Sequence, residues 1–222
     1  MASKDLSERI AGALAQRVKG EVLADERALE RYSTDQSMYR VRPLVVILAR
    51  DLDDVVETVR FAREAGVPLT ARGGGSGTAG AALGRGIVLA FDRAGPMNRV
   101  LSFDEVDGEP RVVVEPGLLH DELQRFLRQQ GLYLPADPSS GNIALLGGNV
   151  ATKASGPHAF KHGSIDRYLC AVQFVTAEGE VVDTADEASI PSRIREGLCR
   201  LRDDVLADAA SATRLERRKD MK

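Results

Sequence analysis

The sequence predicts an α+β protein with α/β-type segments, in which a small strand-helix-strand subdomain precedes a larger mixed-sheet subdomain with flanking helices. Three observations carry that prediction. A β-branched apolar run at 44–49 leads into an amphipathic helix and then a second strand, an order that pairs strands in parallel. Two hairpin patterns follow, at 99–116 and 168–184. The 222 residues are 43% hydrophobic and 28% charged, an ordinary composition for a chain that folds around an apolar core.

Residues 1–40 read as a helical extension, with Ile10, Leu14 and Val18 at a spacing of four. The first subdomain, 41–96, holds the strand PLVVILA, a helix with Leu52, Val55, Val56, Val59 and Ala62 on one face, the strand VPLTAR and the strand IVLAF at 87–91. Asp51 is placed to cap that helix and Gly66 to end it. The second subdomain, 97–185, opens with RVLSFDEV and RVVVEP around the turn Asp107-Gly108. A helix with Leu119, Leu123, Phe126 and Leu127 on one face then stops at Gly131. Residues 135–164 read as one long loop, and loops of that length are commonly functional. Two strands around Ala177-Glu178-Gly179 close the subdomain. From Ser192 to Lys219 one amphipathic helix is expected, carrying Ile194, Leu198, Leu201, Val205, Ala209 and Ala212 and ending in a basic, frayed tip at 213–222.

The formal charge of −3 gives no global attraction for nucleic acid or anionic lipid. No apolar run is long enough to span a bilayer and no signal-like stretch opens the chain, so a cytoplasmic protein is expected. Cys170 and Cys199 lack metal-ligand spacing and are expected as buried free thiols.

The segment TARGGGSGTAGAALGRG contains a formal G-x-G-x-x-G, Gly75 to Gly80. That fingerprint requires a helix opening at its third glycine and an acidic residue about 20 positions later. Here Gly84 and Gly86 interrupt at once and a strand begins at Ile87; a Gly-Lys-Ser/Thr for a phosphate-binding P-loop is also missing. What remains is a strand-to-strand loop with Arg72 at its mouth, whose backbone N–H groups and Ser76 and Thr78 hydroxyls suit a pyrophosphate. A tight glycine turn without a ligand is the alternative on local physics.

A second segment, PADPSSGNIALLGGNVATKASGPHAFKHG, combines small residues that admit a flat ligand with polar partners at Asp137, Ser139, Asn149 and Ser155. With ARGGGSGTAG about 60 residues earlier and the strand ending GEVVDT, it resembles the FAD-binding (PCMH-type) domain of the vanillyl-alcohol oxidase superfamily. Within that superfamily the chain looks most like D-lactate dehydrogenase and glycolate oxidase-type proteins, in the form fused to iron-sulfur modules. The resemblance implies that Arg72, Gly73, Gly74, Gly75, Ser76, Gly77 and Thr78 wrap the FAD pyrophosphate. It implies that Asp137, Pro138, Ser139, Gly147, Gly148, Ser155 and Gly156 line the flavin and ribityl chain, joined by Ala151 and Gly163, with Val182 near the adenine. Members with covalent flavin carry histidine at the position of Ser76, so non-covalent FAD is implied.

By the same resemblance the expected activity is hydride transfer from a 2-hydroxy acid to flavin, with catalytic residues supplied by a substrate or cap domain that this chain lacks. The alternative is a non-catalytic flavin-binding fragment or subunit served by a separate cap or iron-sulfur chain. His120 is expected at the surface, opening its helix, while His158, Lys161 and His162 sit in the second loop, and Asp166 is expected to pair with Arg167.

Overall fold

The computed structural model describes residues 2–219, which form two compact units, residues 2–169 with Ala177–Glu180, and Cys170–Thr176 with residues 181–219. The first unit is built on a four-stranded sheet. Strands β1 (Glu21–Leu23), β2 (Val45–Leu48), β3 (Leu69–Arg72) and β4 (Ile87–Ala90) lie in the order β1-β2-β4-β3. β2, β4 and β3 run parallel, with Val45 and Leu69 both opposite Ile87, whereas β1 is antiparallel to β2. Parallel strands covered on both faces need apolar side chains on both, and every residue of β4 is buried. One face carries α1 (Ala2–Leu14) and α3 (Leu52–Ala65), packing Ile10, Leu14, Phe61 and Ala62 on Val45, Ile47, Ile87 and Leu89. The other face receives Leu29 of α2 (Glu26–Arg31) and Tyr32 on Val46, Val88 and Ala90.

The α3 boundaries follow from its caps. The Asp51 carboxylate accepts from the Asp54 N–H at 3.1 Å, and Gly66 ends the helix at φ +62°. The stretch expected to be wholly helical contains the edge strand β1; three residues are too short to show a period of two.

Next come the hairpin β5 (Val100–Val106) and β6 (Glu109–Val114), turning through Asp107 and Gly108, both at positive φ. Helix α4 (His120–Gln129) buries Leu123 and Leu127 against Leu118, Leu146 and Ile165, with Phe126 edge-on to Phe103 at 5.7 Å. The expected single loop at 135–164 contains two short helices, α5 (Leu146–Ala151) and α6 (Ala159–His162). Glycines at 147 and 148 hide α5 from any propensity argument; tertiary contacts override it, since the Leu146 N–H donates to Leu118 C=O and the Gly147 N–H to Pro116 C=O, both at 2.9 Å.

In the second unit, β7 (Gln173–Val175) pairs antiparallel with β8 (Val181–Asp183). The expected continuous final helix is two, α7 (Ser192–Ala207) and α8 (Ala209–Lys219). Asp208 is extended between them, and its carboxylate accepts from the Ser211 N–H at 2.8 Å, so a residue read as part of one helix caps the next. The last three residues of the basic tip lie outside the described residues. Cys170 and Cys199 are both exposed, correcting the buried-thiol expectation: Cys170 precedes β7, and α7 has no buried residue.

Candidate cofactor site

Strand β3 delivers Arg72 to the mouth of the first glycine loop. Its guanidinium does not reach outward. Nη2 donates to Thr34 C=O at 2.9 Å, the group stacks over Tyr32 at 5.2 Å from the ring centre, and it lies under Gly75, where a Cβ would meet Nη2 at 2.5 Å. Burial pulls its pKa down, yet a guanidinium stays charged, so a fixed positive charge braces the loop from beneath. The Gln36 N–H ties the loop to the 33–37 segment by donating to Gly75 C=O at 3.1 Å.

The two glycine segments, some 70 residues apart, are in contact. A Cβ on Gly73 would lie 3.5 Å from the Gly148 Cα, and one on Gly74 would lie 1.8 Å from Ile143 O. The approach at Gly74 demands glycine, whereas the contact at Gly73 is an ordinary van der Waals one. On the other side of the second segment a Cβ on Gly156 would lie 1.8 Å from Asp137 O, which locks Asp137-Pro138 to Ser155-Gly156. Gly77 differs: it has no positive φ and nothing within 4 Å of where its Cβ would stand. No protein neighbour explains that glycine; it leaves a cradle open.

Among the described residues, none of the amide N–H groups from Gly73 to Ala79 donates to a protein acceptor, and the hydroxyls of Ser76, Thr78, Ser139 and Ser155 have no hydrogen-bond partner. A run of unspent donors over a half-buried cation is the chemistry of an anion cradle. Beside it lies a cleft of about 230 Å³ lined by Arg31, Tyr32, Arg72, Gly73, Gly74, Asp92, Arg93, Ile143 and Leu145. Its three guanidiniums outnumber the one carboxylate, and Arg31 meets that carboxylate at 3.4 Å. A second cleft of about 500 Å³ is bordered by Gln124, Arg128, Tyr133, Asp137, His158 and His162.

The structure therefore brings Gly73 against Gly148 and Gly74 against Ile143, sets Gly147 on Pro116, and joins Asp137 and Pro138 to Gly156. Exposed Ser139 and Ala151 sit on the same loop and on α5. Gly163, at φ +77°, is covered by the Arg167 side chain. Val182 lies in β8 of the second unit. Asp166 pairs with Lys153 at 3.1 Å and accepts from Ser164 Oγ at 2.6 Å, in place of the expected Arg167 pair, because Arg167 folds over Gly163.

His120 departs furthest from expectation. It is 0% exposed, because α4 begins inside the unit, with the His120 N–H donating to Ala144 C=O at 2.9 Å. Sequence reasoning also missed Tyr32 and Gln124, which carry no local motif, and read Asn149 as a ligand partner where the structure buries it against His120. The single signal was their place on apolar faces, where a polar side chain needs a partner.

A parallel sheet feeding a glycine loop, set against a second small-residue loop, defines a nucleotide-cofactor-binding domain of the PCMH type. The chain belongs to the FAD binding domain family, whose profile matches residues 43–185. Its curated relatives include D-2-hydroxyglutarate dehydrogenase of Escherichia coli strain K12, 35% identical over 155 residues, covering 68% of this chain and 15% of the relative. Glycolate oxidase subunit GlcD of the same strain is 31% identical over 180 residues, covering 79% and 35%. In fold it matches alkyldihydroxyacetonephosphate synthase at TM-score 0.67 and 24% identity, over 82% of this chain and 35% of that one. It also matches 6-hydroxy-D-nicotine oxidase from Arthrobacter nicotinovorans at TM-score 0.62 and 22% identity, over 75% and 36%. The chain thus spans about a third or less of these proteins.

Proposed function

We propose that the apposed glycine loops hold FAD non-covalently and that the chain is the flavin-holding part of a 2-hydroxy-acid dehydrogenase. The observation that carries the reading is the run of unspent amide donors at 73–79 over the braced Arg72, with the open side of Gly77 facing no protein atom. FAD fits this cradle by charge as well, since its pyrophosphate is a dianion and Arg31, Arg72 and Arg93 face the adjoining cleft. The loop amides and the Ser76 and Thr78 hydroxyls would bind the pyrophosphate. Asp137, Ser139, Gly148, Ser155 and Gly156 would line the flavin side. When bound, FAD supplies two-electron redox chemistry, accepting hydride from the carbon that bears the substrate hydroxyl. The chain's own contribution is to bind, to orient, and to exclude water from the packed Gly73–Gly148 contact.

The relatives' names support a small 2-hydroxy acid, of the D-2-hydroxyglutarate or glycolate kind, as substrate. A second reading, in which a further segment or a separate chain supplies the substrate-side residues, is favoured by the share of the relatives that this chain spans. No described helix is long and apolar enough to cross a membrane, which accords with the cytoplasmic placement we propose.

The test is a visible spectrum after incubation with excess FAD and desalting, followed by anaerobic D-2-hydroxyglutarate, D-lactate or glycolate. Retained flavin is expected. Bleaching by one of the acids supports a self-sufficient dehydrogenase, and retention without bleaching supports the second reading. Loss of flavin on desalting overturns the cradle.

A further inference from the structure

His120 opens α4 with its imidazole fully buried between side chains from three places in the first unit. Its Nε2 lies 3.3 Å from Gln124 Nε2, its Nδ1 lies 3.3 Å from Asn149 Nδ2 in α5, and Asp137 Oδ1 stands 3.8 Å from Nε2. The Gln124 amide is not free to turn. Its Oε1 accepts from the Leu134 N–H at 3.0 Å and its Nε2 donates to Leu134 C=O at 2.7 Å, so its second N–H is the one directed at the imidazole. Nε2 of the ring must therefore accept, which places the proton of a neutral imidazole on Nδ1. That N–H requires the Asn149 amide oxygen as its partner, an orientation reached by a half-turn of the carboxamide.

We infer that His120 is a positioning residue of the cofactor site: as a neutral Nδ1–H imidazole it ties α5, which carries Gly147 and Gly148, to α4 and through Gln124 to the Leu134–Asp137 segment. The inference rests on the reading that these loops hold FAD. It extends that reading, because His120 belongs to neither glycine loop and lines neither cleft.

Protonation opposes the latch. An imidazolium would turn a second N–H against the fixed Gln124 donor. Asp137 and Asp121 favour the charged ring, but burial outweighs them and pulls its pKa below the ordinary value. Asn149 and Gln124 are uncharged, and His158 and His162 border the same cleft as Asp137. The sign follows. Below the ordinary imidazole value of about 6.5, an unfolded chain binds a proton that the folded chain refuses, so stability is lost as pH falls from there.

The experiment compares wild type with His120→Leu and His120→Asn by FAD retention at pH 7.5 and by amide hydrogen exchange of the cofactor-free chain. Leucine fills the space without hydrogen bonds, whereas asparagine keeps an N–H near the Nδ1 position. Expected for His120→Leu are roughly tenfold weaker retention, about 1.4 kcal/mol, and faster exchange at 134–141 and 146–151, with β2 and β4 unchanged; His120→Asn recovers part of both. Wild-type exchange and retention in His120→Leu would overturn the inference. If wild type itself holds no FAD, the proposed function fails, while the exchange comparison still decides the role of His120. If neither variant folds, imidazole ¹⁵N spectra of wild type decide: a neutral Nδ1–H ring down to pH 5.5 supports the latch, and a ring that protonates near 6.5 or carries its proton on Nε2 overturns it.

Discussion

The two glycine loops reach the same surface by opposite means. The first, between β3 and β4, contains no helix, and leaves its amides from Gly73 to Ala79 unspent while a half-buried guanidinium holds it from below. The second spends its polarity internally: α5 and α6 fold within it, and the His120, Gln124 and Asn149 side chains fix it from behind. One loop is a set of donors on a brace, the other a small-residue wall on a buried polar frame. Both nevertheless sort their glycines alike. Gly74 and Gly156 are required by protein backbone 1.8 Å from where a Cβ would be, whereas Gly77 is required by no protein atom, and Gly148 meets its nearest neighbour, the Gly73 Cα, only at 3.9 Å.

That difference is broken hardest at Gly74. Gly74→Val drives a side chain into Ile143 O, and the carbonyl belongs to the turn that starts α5, so neither loop can yield separately. Overpacking against backbone costs on the order of 3 kcal/mol or more. Thermal unfolding is expected to show a drop in Tm of more than about 6 °C for a chain of this size, with FAD retention lost as well. A Tm within a degree of wild type would mean that the two segments are not locked together.

Gly77→Val separates fold from ligand. Nothing stands within 4 Å of the new Cβ and the backbone needs no positive φ, so the cofactor-free chain is expected to melt within about 1 °C of wild type. FAD titration is expected to show at least tenfold weaker binding, about 1.4 kcal/mol, because the side chain occupies the cradle. Unchanged affinity would place the pyrophosphate elsewhere.

The first loop was legible because its signal is covalent and local: Arg72 and five glycines within the next eight residues specify a donor-rich backbone without help from the rest of the chain. The parallel sheet was equally legible, since VVIL and IVLA carry apolar side chains for both faces. The frame behind the second loop was not. Whether His120 points outward or inward depends on where α4 starts relative to Ala144, 24 residues away, and no periodicity reports that. Asp208 and β1 were missed for the opposite reason. A single capping carboxylate and a three-residue strand are local, but too short to interrupt a helical pattern that continues on either side.

The finest test of the comparison uses a glycine that neither the fold nor the ligand requires. Gly12 lies exposed within α1, nothing stands within 4 Å of its Cβ position, and α1 contributes Ile10 and Leu14 to the sheet face remote from Tyr32 and Arg72. Gly12→Ala removes the entropic penalty of glycine in a helix, a gain of up to about 1 kcal/mol, or roughly 2–4 °C in Tm. FAD affinity is expected to stay as in wild type. If this stabilising change tightened FAD as much as Gly77→Val loosened it, retention would track global stability, and the open side of Gly77 would lose its meaning as a cradle. If affinity holds while Tm rises, the binding loss at Gly77 belongs to the loop itself.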